Sequence, residues 1–245
     1  MGNINLSGSG KIDANGSVYE HVGISGSGKI DGTLRCKSMS VSGSGRLLGD
    51  VFCDDKISVS GSGRFEGNVD CYELSASGAS HFSSNIKCRK MGISGACHVD
   101  GSVEGGDISI SGVCRVNKNM SADNVKMSGA ARVDGLLNAE NIEIRLGSSN
   151  SDTVIGEIGC TNLRVIPQNG VKSGFKLFGM SFGGGSSNLC CQTIEGDNLL
   201  LCNTVADVVR GKNVKIGPGC NIKRVEYTES IEFEGESAVG EQVKI

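Results

Sequence analysis

Apolar and polar residues alternate through most of the first 144 positions, and the alternation itself repeats. A Ser-Gly dipeptide recurs at Ser7, Ser25, Ser42, Ser60, Ser77, Ser94, Ser111 and Ser128, at steps of 17 or 18 residues. Counted from each serine, position −1 is apolar, as at Leu6, Ile24, Val41 and Ile93. So is position +5 (Ile12, Ile30, Leu47, Phe65, Phe82, Val99), and so is +9 from the second repeat on (Leu34, Val51, Val69, Ile86). Position +7 is mostly glycine. Odd positions carry apolar or small residues and even positions polar ones, which is the period of a β-strand. The alternation slips once per repeat, after +11, and resumes at +14 with Met39, Leu74, Met91 and Ile108. A slip of this kind returns an odd-numbered repeat to the same face. The extra residue of the 42–59 repeat falls at the slip, in the stretch CDDKI at 53–57, where a corner tolerates it.

Seventeen residues leave no room for a strand plus a helix, but they hold three short strands and three corners. No single coil buries its own apolar face, so the core forms by stacking. The expected fold is all-β: a right-handed parallel β-helix, a solenoid of 17–18-residue coils, about twelve in number, with the hand taken from the rule for parallel crossovers. Three regions are expected. Residues 1–144 form regular coils. Residues 145–193 form an irregular coil with an extruded apolar loop at about 167–188. Residues 194–245 return to the period, with Leu199, Ile216 and Phe233 in one column and Val205, Ile222 and Val239 in another.

Composition narrows the function. The chain of 245 residues has 38 Gly, two Pro, no Trp and a net charge of −3, which gives no reason to expect nucleic acid as a partner. No apolar run is long enough for a transmembrane helix, and the start MGNINLSGSG lacks the features of a signal peptide. Eleven Cys without a secretory signal point to free thiols in a reducing cytosol. The stretch VGISGSGKID at 22–31 contains the skeleton of a phosphate-binding loop, Gly23 followed by Gly28-Lys29. Ile30 stands where such a loop needs Ser or Thr for Mg²⁺, and the repeat places Lys29 on a strand rather than at a helix start. Neither a nucleotide nor any other cofactor is expected.

Three columns could carry chemistry. Position +11 stacks Cys36, Cys53, Cys71 and Cys88. Disulfides or a metal ladder are conceivable there, but Gly105, Ala122 and Ala139 in the same column favour a narrow slot for small side chains. Position +4 is basic or imidazole in every repeat: Lys11, Lys29, Arg46, Arg64, His81, His98, Arg115 and Arg132. Position +6 is largely acidic, with Asp13, Asp31, Glu66, Asp100 and Asp134. Such a face either binds an acidic partner or membrane surface, or neutralises itself as a charge ladder. His81 and His98 sit in this surface column, so no catalytic residue and no designed metal site is expected. The third feature is the apolar string Phe175, Leu177, Phe178, Met180 and Phe182, a candidate membrane or partner loop that could instead cap the solenoid or fold back on it.

Three function classes fit. An enzyme is the weakest: IGPGCNI at 216–222 resembles one turn of a hexapeptide-type acyltransferase, but the six-residue run is missing elsewhere and no loop histidine serves as general base. A monomeric β-helical binding scaffold would use the flat faces. A self-assembling structural protein would use its ends, because terminal coils expose unpaired backbone groups. INLSGSG and SAVGEQVKI show no evident cap, and end-to-end stacking would bury Ile4, Leu6, Val239 and Val243. The repeats ISGSGKIDGTL (24–34), VSGSGRLLGDV (41–51) and VSGSGRFEGNV (59–69) resemble those of bactofilins, bacterial polymer-forming cytoskeletal proteins, and the length is similar to that of the bactofilin-like proteins of Gram-positive bacteria. The resemblance implies homopolymerisation through terminal coils without nucleotide. It also implies a cytoplasmic place, at the inner face of the membrane in some members, and partners among membrane-associated envelope or motility proteins. Many bactofilins carry Pro-rich tails and a membrane-targeting segment, and neither is seen in this sequence.

Overall fold

The computed structural model describes residues 2–14, 16–147, 151–168 and 187–245. Every regular element among them is a β-strand, in parallel pairings, as the period of two requires. The chain divides into two compact units, residues 1–123 and 124–245.

The first unit alternates long and short strands. They are β1 (Gly2–Leu6), β2 (Ser9–Asp13), β3 (Val18–Ile24), β4 (Ser27–Asp31), β5 (Leu34–Val41), β6 (Ser44–Leu47) and β7 (Val51–Val59). The series continues with β8 (Ser62–Phe65), β9 (Val69–Ala76), β10 (Ala79–Phe82), β11 (Ile86–Ile93), β12 (Ala96–Val99), β13 (Val103–Ile110) and β14 (Val113–Val116). Each strand pairs with the strand two places on, so equivalent positions of successive coils are stacked: Ile30 on Leu47, Leu47 on Phe65, Phe65 on Phe82. The inner column is dry, with Ile30, Phe65, Phe82 and Val99 fully buried. Phe65 and Phe82 stack with ring centroids 4.7 Å apart. Burial of each such side chain is worth about 1.5–3 kcal/mol.

Of the three expected corners, only two interrupt the strands. The third lies inside each long strand, where two consecutive residues face out, as at Arg89 and Lys90 of β11. The extra residue of the 42–59 repeat is accommodated there. Cys36 pairs with Cys53 and Met39 with Ile57, with the register shift between them.

The strand β15 (Met120–Met127) spans the point of division in the sequence. The second unit merges each coil into a single bent strand. These are β16 (Ala130–Leu146), β17 (Thr153–Pro167), β18 (Leu189–Leu201), β19 (Thr204–Ile216), β20 (Asn221–Phe233) and β21 (Ala238–Lys244), paired in that order. With both units counted, the solenoid has about 13 turns, against the twelve expected.

Here the structure corrects the expected columns. Leu199 stacks on Val214, 15 residues on, while Ile216 lies under Leu201. Ile222 stacks on Ala206, not Val205, which faces outward and is 39% exposed. The coil from β18 to β19 is short because the two strands join through Cys202 and Asn203 alone, with Asn203 in the left-handed region at φ 46°. The 17-residue spacing holds where Ile216 pairs with Phe233 and Ile222 with Val239, and fails at the short coil from β18 to β19 and where Ile222 meets Ala206.

Candidate functional site

The open edges come first. Ile4 on β1 is buried, but Leu6 is only half-buried, whereas its stacked partner Ile24 is 1% exposed. At the other end Val239 and Val243 of β21 are half-buried, while Ile222, in register with Val239, is fully buried. Phe233 is 44% exposed and Ile245 67%. Among the described residues, β1 pairs only with β3, and β21 only with β20 along its length. The expected interface residues therefore lie on two edge strands of separate units, with apolar side chains partly uncovered.

The basic column is real, and it neutralises itself. Lys11, Lys29, Arg46, Arg64, His81, His98 and Arg115 stack in register on β2, β4, β6, β8, β10, β12 and β14. The acidic column lies two residues along, outward on the same face. Lys11 pairs with Asp31 at 3.2 Å, Arg46 with Glu66 at 2.6 Å and Arg64 with Glu66 at 3.7 Å. The Lys11 ammonium, bonded to Asp31, holds that carboxyl below its usual range. Each exposed pair adds at most about 1 kcal/mol, but together they relieve stacked like charges. Gly28 and Lys29 lie on β4, over Gly10 and Lys11 and under Gly45 and Arg46. The skeleton of a phosphate loop is thus the end of β3, a two-residue corner and part of β4.

The thiol column behaves as a slot. Cys36, Cys53, Cys71 and Cys88 are stacked, buried and reduced. Burial pushes Cys88 up to about 12 and Cys71 higher still, so these two thiols are poor nucleophiles at neutral pH, while the hydrogen bond from Cys36 lowers Cys53. IGPGCNI is a coil corner: Ile216 and Ile222 point into the core, and Gly219 takes φ +76° in the turn between β19 and β20. The apolar string at Phe175, Leu177, Phe178, Met180 and Phe182 lies outside the described residues.

One ladder escaped sequence reasoning. In the second unit Asn124, Asn141, Asn162, Asn198 and Asn213 form an outward column, each amide bonded to the next at 2.9–3.2 Å, and Ser230 Oγ bonds Asn213 at 2.7 Å. The residue numbers step by 17, 21, 36 and 15, so no fixed period revealed it. What could have is the repeated pairing of Asn with an apolar residue: Asn141-Ile142, Asn162-Leu163 and Asn198-Leu199. The column lines a shallow groove of about 530 Å³ that also touches Lys126, Arg164, Lys215 and Glu232.

No helix among the described residues is long and apolar enough to cross a membrane. Comparison with known proteins finds a family resemblance in the first coils. A family model named Bactofilin, described as polymer-forming cytoskeletal, matches residues 1–87. The uncharacterized protein YhbF of Bacillus subtilis strain 168 is 38% identical over 103 residues, 42% of this chain and 40% of its own length. The uncharacterized protein YhbE of the same organism is 33% identical over 97 residues, 40% of this chain and 38% of its own. The chain thus spans about two fifths of the curated relatives it matches. No solved structure matches. The stacked serine–glycine coils of residues 1–87 thus match the Bactofilin family model, described as polymer-forming cytoskeletal.

Proposed function

We propose that this protein is a structural scaffold that assembles with further copies of itself, end to end through its terminal coils, without nucleotide. The observation that carries this reading is the match of residues 1–87 to a family described as polymer-forming. The geometry supports it. β1 and β21 are edge strands, each paired in parallel with one neighbour, whose apolar columns are partly uncovered, and edge strands template further pairing. The phosphate-loop skeleton runs from the end of β3 through a two-residue corner into β4 and opens no helix, which supports the reading without nucleotide. The role is non-enzymatic in this reading, the compartment is the cytoplasm, and further partners are proteins at the envelope.

Electron microscopy of the purified protein across salt and concentration, with no nucleotide added, tests this. Filaments or ordered oligomers are expected. Monomers alone at high concentration would overturn it and leave the second reading, a monomeric binding scaffold, which the asparagine-lined groove of the second unit favours.

A further inference from the structure

We propose that His81, His98 and Asp100 form a site for one divalent transition-metal ion of the kind imidazole binds well, such as Ni²⁺ or Zn²⁺. The two histidines occupy the same column on β10 and β12 and are directly in register. Their rings stack with centroids 5.0 Å apart and planes 22° from parallel. Both Nε2 atoms turn toward one carboxylate: His81 Nε2 lies 2.8 Å from Asp100 Oδ2, and His98 Nε2 lies 3.3 Å from Asp100 Oδ1. One nitrogen from each ring and one carboxylate oxygen all lie within 4.8 Å of one another. Ions bound at about 2.0–2.2 Å hold their ligand atoms roughly 3–3.5 Å apart, so small side-chain rotations complete the coordination.

The strands make this arrangement stiff. All three residues sit on or next to short strands in an unbroken parallel ladder. Asn117, one coil on, donates from Nδ2 to Asp100 Oδ1 at 3.0 Å, and its Oδ1 lies 3.2 Å from His98 Nε2. It thereby orients the carboxylate, as outer partners of metal ligands commonly do, while its Oδ1 also accepts from Arg115 Nε at 3.0 Å. The side chains are 32%, 43% and 38% exposed in the order His81, His98 and Asp100, so a bound ion keeps water ligands and exchanges with solvent.

The neighbouring charges select the ion. Arg64 and Arg115 flank the histidines in the column, and Arg64 is shared with Glu66. A hard cation held by oxygen alone is disfavoured beside two guanidinium groups, while an ion bound mainly by two neutral imidazoles gains most of its affinity from nitrogen. Among the described residues, no other group of three His, Cys, Asp or Glu side chains converges in this way.

The test is calorimetric titration of tag-free, full-length protein with NiCl₂, repeated with Co²⁺ while visible ligand-field bands are followed. Saturable uptake of one ion per chain is expected. His98→Lys and His81→Lys should each weaken it at least tenfold. Lysine is native to this column at Lys11 and Lys29, so these variants keep the ladder, and circular dichroism confirms their fold. His21→Ala should leave uptake unchanged, because His21 bonds Ser38 and Ser40 on a different face of the coil. The proposal is overturned by absence of saturable uptake, which would leave an ordinary His–Asp ladder, or by uptake that survives both lysine variants. The readout does not depend on assembly, so it stands or falls apart from the scaffold reading.

Discussion

At the scale of single residues, stacking turns small side chains into a steric requirement. From Gly26 to Gly112, the glycine that follows the repeat serine lies against the backbone of the coil before it. A Cβ on Gly61 would collide with the carbonyl oxygens of Gly43 and Ser42, and a Cβ on Gly43 with those of Gly26 and Ser25. These glycines are required by close approach, since none of them has positive φ. Gly61→Ala should cost about 1–3 kcal/mol, as overpacking does, whereas Gly92→Ala, with nothing within 4 Å of the added carbon, should stay within about 0.5 kcal/mol. Urea unfolding of the two variants compares them directly. Glu226 shows the polar counterpart. Arg210 and Arg224 bond its carboxylate at 2.6 and 2.7 Å and hold it below the usual glutamate value of 4.5. A carboxyl lowered in the folded state stabilises above its unfolded pKa, and that stability disappears as pH falls through the folded one. Glu226→Gln should therefore be less stable than the parent at pH 7, and the gap should close below about pH 4. A gap that persists at pH 3 in thermal unfolding would show that the charge is not its source.

At the scale of elements, coil length is elastic at corners and rigid along strands. β7 carries three residues between Cys53 and Ile57 where β5 carries two between Cys36 and Met39, and stacking recovers at once. Deletion of Asp55 should leave circular dichroism unchanged and shift the unfolding midpoint by only a few degrees. Deletion of Arg64 from β8 should be far worse. It moves Phe65, fully buried between Leu47 and Phe82, out of phase with the core face, because a one-residue slip turns every later side chain in the strand over. Equal effects of the two deletions would refute the distinction. The same elasticity explains how β18 and β19 stack at a step of 15 and β16 and β17 at 21 near Ile142 and Leu163.

At the scale of the whole molecule, the two units use different surface ladders on one principle. The first stacks Lys and Arg against Asp and Glu, and the second adds linked asparagine amides to its own ion pairs. Neither ladder needs a partner to be satisfied, which leaves the edge strands as the places where further copies would add. Leu6→Lys and Val239→Lys should each shorten assemblies seen by electron microscopy and leave the β-rich circular dichroism spectrum intact. Both positions are half-buried on edge strands, so a charge there is tolerated in the free protein. Normal assembly by both variants would move the contact elsewhere, with the apolar string at 175–182 the first place to look.

By itself the sequence determined the parallel solenoid, the inward columns of the first unit, the charge ladder and the site of the extra residue. Each of these follows from a repeat so regular that stacking places like on like, Ile30 under Leu47 and Arg46 under Arg64. Only the tertiary structure decided the 15-residue step from β18 to β19, the asparagine column and the convergence of His81 and His98 on Asp100. An alternation of period two allows many registers. Which one forms depends on how many residues each corner consumes, and on the backbone hydrogen bonds between coils that lock the choice.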